Sequence, residues 1–135
     1  MIGVHLAQQL KENGLVWKPG PGDRFTIPDR DLDDEVFVLS NMTIEVYQVP
    51  EGRVIGFNGT TEWALDDVEM DEALWLPGED QLRELLGGTF RALRRTGSEF
   101  TVEIELLGAP HVCTAETAEE AYAAALLHLL AAATA

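Results

Sequence analysis

Asp29, Asp31 and Asp33 stand at alternate places in Asp29-Arg-Asp-Leu-Asp-Asp-Glu35, where seven residues hold five carboxylates. Side-chain oxygens at the first, third and fifth places open a calcium loop of the EF-hand kind. Such a loop also requires glycine at the sixth place and a bidentate glutamate at the twelfth. Here the sixth residue is Asp34 and the twelfth is Ser40, so the pattern is only half met. The expectation is an exposed acidic turn ahead of a strand, partly compensated by Arg30. If a Ca²⁺ or Mg²⁺ ion binds weakly, Asp29, Asp31 and Asp33 are the residues to hold it.

His111 and Cys113 form a second group with chemical potential. Two places apart on a strand, they share a face, and a thiolate beside an imidazole is a nucleophile. That chemistry needs a third, orienting group, and zinc calls for about four ligands. The chain has one cysteine and three histidines, with His5 and His128 on two further elements. Cys113 therefore reads as a small core residue, and His128 as a solvated position off its helix's apolar stripe.

Basic charge gathers at Arg83, Arg91, Arg94 and Arg95. Arginines so placed could hold a phosphate or carboxylate, and a pocket using Arg91, Arg94, Trp63 and Trp75 would make the chain a small-molecule-binding domain or an enzyme. The simpler reading pairs these arginines with acids on neighbouring strands. There is no Gly-x-x-x-x-Gly-Lys-Ser/Thr loop, no Gly-x-Gly-x-x-Gly after a strand and no Gly-x-Ser-x-Gly elbow. No cofactor is expected and no catalytic residue is assigned.

The tract from Glu62 to Asp80 contains Glu62, Asp66, Asp67, Glu69, Asp71, Glu72, Glu79 and Asp80 without one Lys or Arg, and Trp63 and Trp75 lie inside it. Aromatic anchors ringed by carboxylates suit a basic, partly apolar protein partner. Glu62, Trp63, Asp66, Asp67, Glu69, Asp71, Glu72 and Trp75 are therefore the candidate partner-binding residues. The competing reading buries both indoles under a solvated loop. Carboxylates spaced like phosphates would instead make the surface a nucleic-acid mimic.

The elements that must position these groups follow from period and punctuation. Residues 2–13 suit a helix, with Ile2, Leu6 and Leu10 on one face and Asn13-Gly14 as its stop. Lys18-Pro-Gly-Pro-Gly-Asp23 is a loop, because its prolines and glycines break either ladder. From Arg24 to Asn58 alternation predicts strands: Phe25 with Ile27, then Val36 to Leu39, then a hairpin around Pro50-Glu-Gly52. A short helix is expected within residues 60–72, started by Thr60 or Thr61. Ala73 to Pro77 is an apolar run, and Gly78 to Leu86 a short helix ended by Gly87-Gly88. Strands are expected over Thr89 to Arg95, Glu99 to Leu107 and His111 to Ala115. The cleanest alternation sets Phe100, Val102, Ile104 and Leu106 against Thr101, Glu103 and Glu105. Thr117-Ala-Glu-Glu120 is a capping box opening a helix to about Ala132. Its apolar face is Ala118, Ala121, Tyr122, Ala125, Leu126, Leu129 and Leu130. The fold expected is α+β: an antiparallel sheet in two hairpin groups, with N-terminal, central and C-terminal helices packed against it.

With 135 residues the chain is expected to be one domain, residues 1–135, with a core of its own. Its 24 acidic against 9 basic side chains give a net charge of −15. Little cationic surface is left for nucleic-acid phosphates or anionic membranes, so neither is an expected direct partner. A basic protein, or plain solubility by self-repulsion, fits the charge. Met1 to Leu6 lacks the basic flank and apolar run of a signal peptide. The Ala-rich C-terminal run is too short to span a bilayer. With a lone cysteine, these features predict a cytoplasmic protein. Oligomeric state is left open by the sequence. Seven Arg against two Lys, with abundant Ala, Leu and Gly, match a GC-rich genome.

At Glu35-Val-Phe-Val-Leu-Ser40, Gly56-Phe-Asn-Gly-Thr-Thr-Glu-Trp63, Glu72-Ala-Leu-Trp-Leu-Pro77 and Asp80-Gln-Leu-Arg-Glu-Leu-Leu-Gly87 the chain resembles a set of small actinobacterial proteins. Some of these carry a pilus-assembly label of the CpaE type. The CpaE proteins themselves are much larger relatives of the MinD ATPases, with a phosphate-binding Lys-Gly-Gly loop. Lys11 and Lys18 are the only lysines here and neither sits in such a loop, so the resemblance implies no site residue. The function expected from all of this is a non-catalytic accessory or interaction module.

Overall fold

Helix α1 (Val4–Glu12) ends where its sequence provides a left-handed residue. Gly14 has φ +105°, its N–H bonds to Lys11 O at 3.1 Å, and the next amide, Leu15, reaches back to Leu10 O at 3.0 Å. That pair of bonds is a Schellman closure. The helix starts two residues later than the periodicity suggests, after Gly3. Ile2 is nonetheless 2% exposed, so it serves the core from outside the helix.

The computed structural model describes residues 1–28, 35–39, 44–49, 52–57, 67–69 and 72–134; the segments between 44 and 69, and Thr134, are described by backbone alone. The further elements are β1 (Arg24–Thr26), β2 (Phe37–Val38), β3 (Ile44–Val49), β4 (Gly52–Phe57), β5 (Asp67–Glu69), β6 (Leu74–Trp75), α2 (Glu79–Leu86), β7 (Phe90–Thr96), β8 (Glu99–Leu106), β9 (Ala109–Ala115) and α3 (Ala118–Thr134). All described pairings are antiparallel, in three sheets ordered β2-β1-β6, β3-β4-β5 and β7-β8-β9. The fold is α+β. What reads in sequence as the first hairpin group divides into two sheets, and the second group is one continuous meander.

The chain forms two compact units: Met1–Val16 joined to Pro77–Ala135, and Trp17–Leu76. In the first unit α3 lies directly on β8 and β9, while α1 and α2 pack on α3. This helix therefore has neighbours on several sides, and its buried set is wider than one stripe. Ala121, Tyr122, Ala123, Ala125 and Leu126 are all at most 2% exposed. Alanine at three of those places lets the surrounding backbones approach closely. Thr117 Oγ1 accepts the Glu120 amide at 3.1 Å, as expected of an N-cap. Glu119 in the same first turn pairs with the N-terminal ammonium. Gln81 caps α2, its Oε1 accepting the Gly78 N–H at 2.9 Å.

The β7–β9 meander turns twice through two residues, Gly97-Ser98 and Leu107-Gly108. In the second turn both residues have positive φ, +53° at Leu107 and +79° at Gly108, the backbone of a type I′ turn. A leucine there is strained, since its Cβ crowds the following carbonyl, and at 98% exposure it gains no burial in return. Leu107→Asn, which creates the favoured Asn-Gly pair, should therefore raise stability by up to about 1 kcal/mol. The check is the denaturation midpoint followed by far-ultraviolet circular dichroism.

The second unit corrects two expectations. Asp67–Glu69 is a strand, not part of a short helix: it pairs with β4 through Val54↔Glu69, Ile55↔Val68 and Gly56↔Asp67. Three residues are too few to display either period. The rest of that segment, residues 60–66, lies outside the described residues. Around β1 the burial does not alternate either, because Thr26 at 1% is as buried as Phe25 and Ile27. Its hydroxyl donates to Glu35 O at 2.8 Å, which satisfies the polar group inside.

Candidate functional site

The loop Trp17-Lys-Pro-Gly-Pro-Gly-Asp23 is built around one carboxylate. Asp23 is 6% exposed. Its Oδ2 accepts the Trp17 indole N–H and the Gly20 amide, each at 2.9 Å. The backbone is tied down on the far side, where Gly22 N–H bonds to Leu39 O at 2.9 Å and Leu39 N–H bonds to Asp23 O at 2.8 Å. Glycine at position 22 supplies the φ of +86° that the turn needs.

That loop seats Trp17 on an aromatic row. Phe25 lies opposite Phe37 on one neighbouring strand and opposite Trp75 on the other, so the three side chains share one face of β2-β1-β6. Phe25 stands 5.3 Å from Trp17 and 5.4 Å from Phe37 between ring centroids. Ile27, Leu39 and Ala73 complete the cluster, and half-buried Trp75 packs against it. The two described indoles differ in one respect. Trp17 Nε1 has Asp23 as its acceptor, whereas Trp75 Nε1 is buried with no acceptor among the described residues.

Of the candidate partner-binding residues, Glu62, Trp63, Asp66 and Asp71 lie outside the described residues. Asp67 and Glu69 belong to β5, the edge strand of β3-β4-β5, and Glu72 is half-buried just before Trp75. Glu79 and Asp80, exposed, form the first turn of α2, where negative charge suits the helix dipole. The weak-metal candidates Asp29, Asp31 and Asp33 also fall outside the described residues. Among those described, no group of three or more His, Cys, Asp or Glu is placed to hold a metal ion.

The arginines of the proposed pocket lie on the exposed face of β7-β8-β9 and carry partners. Arg91 Nε is 3.1 Å from Glu105 Oε2, and Arg94 Nη1 is 3.3 Å from Glu103 Oε1. Arg95 sits over the Phe100 ring at 5.8 Å. These are cross-strand pairs of the ordinary solvated kind. Arg91 and Arg94 belong to the first unit and Trp75 to the second, and Trp63 lies outside the described residues.

His111 and Cys113 share the helix-facing side of β9, both half-buried, while Val112 at 61% points outward. Burial pushes the Cys113 thiol above its ordinary value. Less thiolate is then present at neutral pH than on a free cysteine, the reverse of what an activated nucleophile requires. The contact that the sequence does not reveal is between His111 and His128, whose ring centroids lie 4.4 Å apart. It depends on the register of α3 against β9, and periodicity along either element is silent about that.

No family model, no curated protein and no solved structure matches the chain.

Proposed function

We propose that the chain is a non-catalytic accessory or interaction module whose acidic tract between Glu62 and Asp80 engages a basic, partly apolar protein. The observation that carries this reading is the tract itself: eight carboxylates, no cation and two tryptophans in nineteen residues of a chain with net charge −15. Support comes from Trp75, a half-buried ring packed against the Trp17–Phe25–Phe37 cluster. A ring so anchored loses little side-chain entropy when a partner covers it. Carboxylates around it steer a basic surface and oppose an acidic one. Arg91 and Arg94, the cations a small-molecule pocket would use, stand exposed on the sheet beside Glu105 and Glu103. A free Cys113 suits work in a reducing cytoplasm.

The test is neutralisation. A variant carrying Glu62→Gln, Asp66→Asn, Asp67→Asn, Glu69→Gln, Asp71→Asn and Glu72→Gln should lose at least about tenfold in capture of a specific protein from native lysate. Capture by the unaltered chain should fall steeply between low and high salt. Capture that ignores both the substitutions and the salt would overturn the reading. A captured basic protein that DNA displaces would instead favour nucleic-acid mimicry.

A further inference from the structure

We propose that His111 and His128 form a two-imidazole site for a late first-row divalent ion, Cu²⁺, Ni²⁺ or Zn²⁺, which ties strand β9 to helix α3. Their rings are in contact, 4.4 Å between centroids at an interplanar angle of 44°. They come from two elements held together by packing of α3 on β8 and β9. His111 is half-buried and fixed in the sheet opposite Ile104. His128 is exposed, so its side chain has rotamer freedom. Binding requires a lone pair from each ring to meet the ion at the usual nitrogen distance of about 2.0–2.1 Å, and a centroid separation of 4.4 Å is short enough for two rings to share one ion.

The donor set decides the ion. Imidazole suits copper, nickel and zinc, whereas carboxylate and water oxygens suit magnesium and calcium. This matters because a chain of net charge −15 draws any divalent cation into its surroundings. That diffuse attraction makes no distinction between Mg²⁺ and Ni²⁺, and a histidine pair does. No third His, Cys, Asp or Glu among the described residues completes the set, so water fills the other positions and the site is open. The proposal is independent of the acidic-tract reading.

His5, exposed on α1, is the third histidine of the chain and serves as an internal control. In NMR spectra of the full chain, substoichiometric Cu²⁺ should broaden the ring signals of His111 and His128 together, before those of His5. An excess of Mg²⁺ should broaden none. Titration calorimetry with Ni²⁺ should give one site, weakened about tenfold or more by His128→Asn, an exposed substitution that leaves the fold intact. Excess Ni²⁺ should raise the unfolding midpoint of the unaltered chain by roughly 5 °C and that of the variant by much less. Equal broadening of all three histidines, or Ni²⁺ binding that His128→Asn leaves unchanged, would overturn the proposal.

Discussion

Phe25→Ala lowers the stability of the Trp17–Leu76 unit by about 3–5 kcal/mol, the range for emptying a fully buried aromatic site. Phe25 is 0% exposed, touches the rings of Trp17 and Phe37 and faces Trp75 across the strand pair. Tryptophan emission isolates the effect, because every tryptophan of the chain falls within the sequence span Trp17–Leu76, while the helices among the described residues belong to the other unit. Urea unfolding followed by fluorescence should shift strongly. The helical signal in circular dichroism reports the other unit in the same titration. A fluorescence-detected loss below about 1 kcal/mol would show that the aromatic row does not hold the unit together.

The second large effect is electrostatic. Asp23→Ala removes one oxygen that accepts two N–H groups, from Trp17 and Gly20, and leaves both donors without it. Hydrogen bonds to a charged group contribute about 1.5–3 kcal/mol, and orphaned buried donors add to the loss. A total of about 2–4 kcal/mol is expected, read by the same fluorescence titration. Asp23→Asn keeps an oxygen in place but not its charge, so it should lose roughly half as much. The order Ala below Asn below Asp is the diagnostic. An Asn variant as unstable as the Ala variant would mean that the loop depends on the charge and not on the bonds.

The sequence reveals those elements whose environment has two sides. Strand β8 alternates because one face meets α3 and the other meets solvent, and Val102 and Ile104 are both 0% exposed. Helix α2 is legible from its ends: Gln81 bonds back to Gly78, and Gly87 takes a positive φ of +57°. Helix α3 is read correctly in extent but too narrowly in burial. Ala123 lies off the stripe and is still 0% exposed, in a helix that packs on α1 and α2 as well as on the sheet. Strands β5 and β6, of three and two residues, carry too little pattern for any period to register. The chemistry-bearing contacts were the least legible. Trp17 with Asp23 is local, six residues apart, yet it needs a loop path that proline and glycine permit without specifying. The pairing of His111 with His128 needs a tertiary register.

The first unit is made of chain segments that are interrupted by the whole of the second. During synthesis α1 leaves the ribosome long before α3, the helix on which it packs. The intervening Trp17–Leu76 segment can condense as it emerges, since its described strands and its aromatic cluster all lie within that stretch. The opening helix must meanwhile wait with Ala7 and Leu10, buried in the finished fold, open to water. Non-local docking of this kind is slow relative to local pairing, and exposed apolar faces are what chaperones bind. The topology thus separates a middle segment whose contacts are local from a flanking unit whose helices α1 and α3 meet only across it.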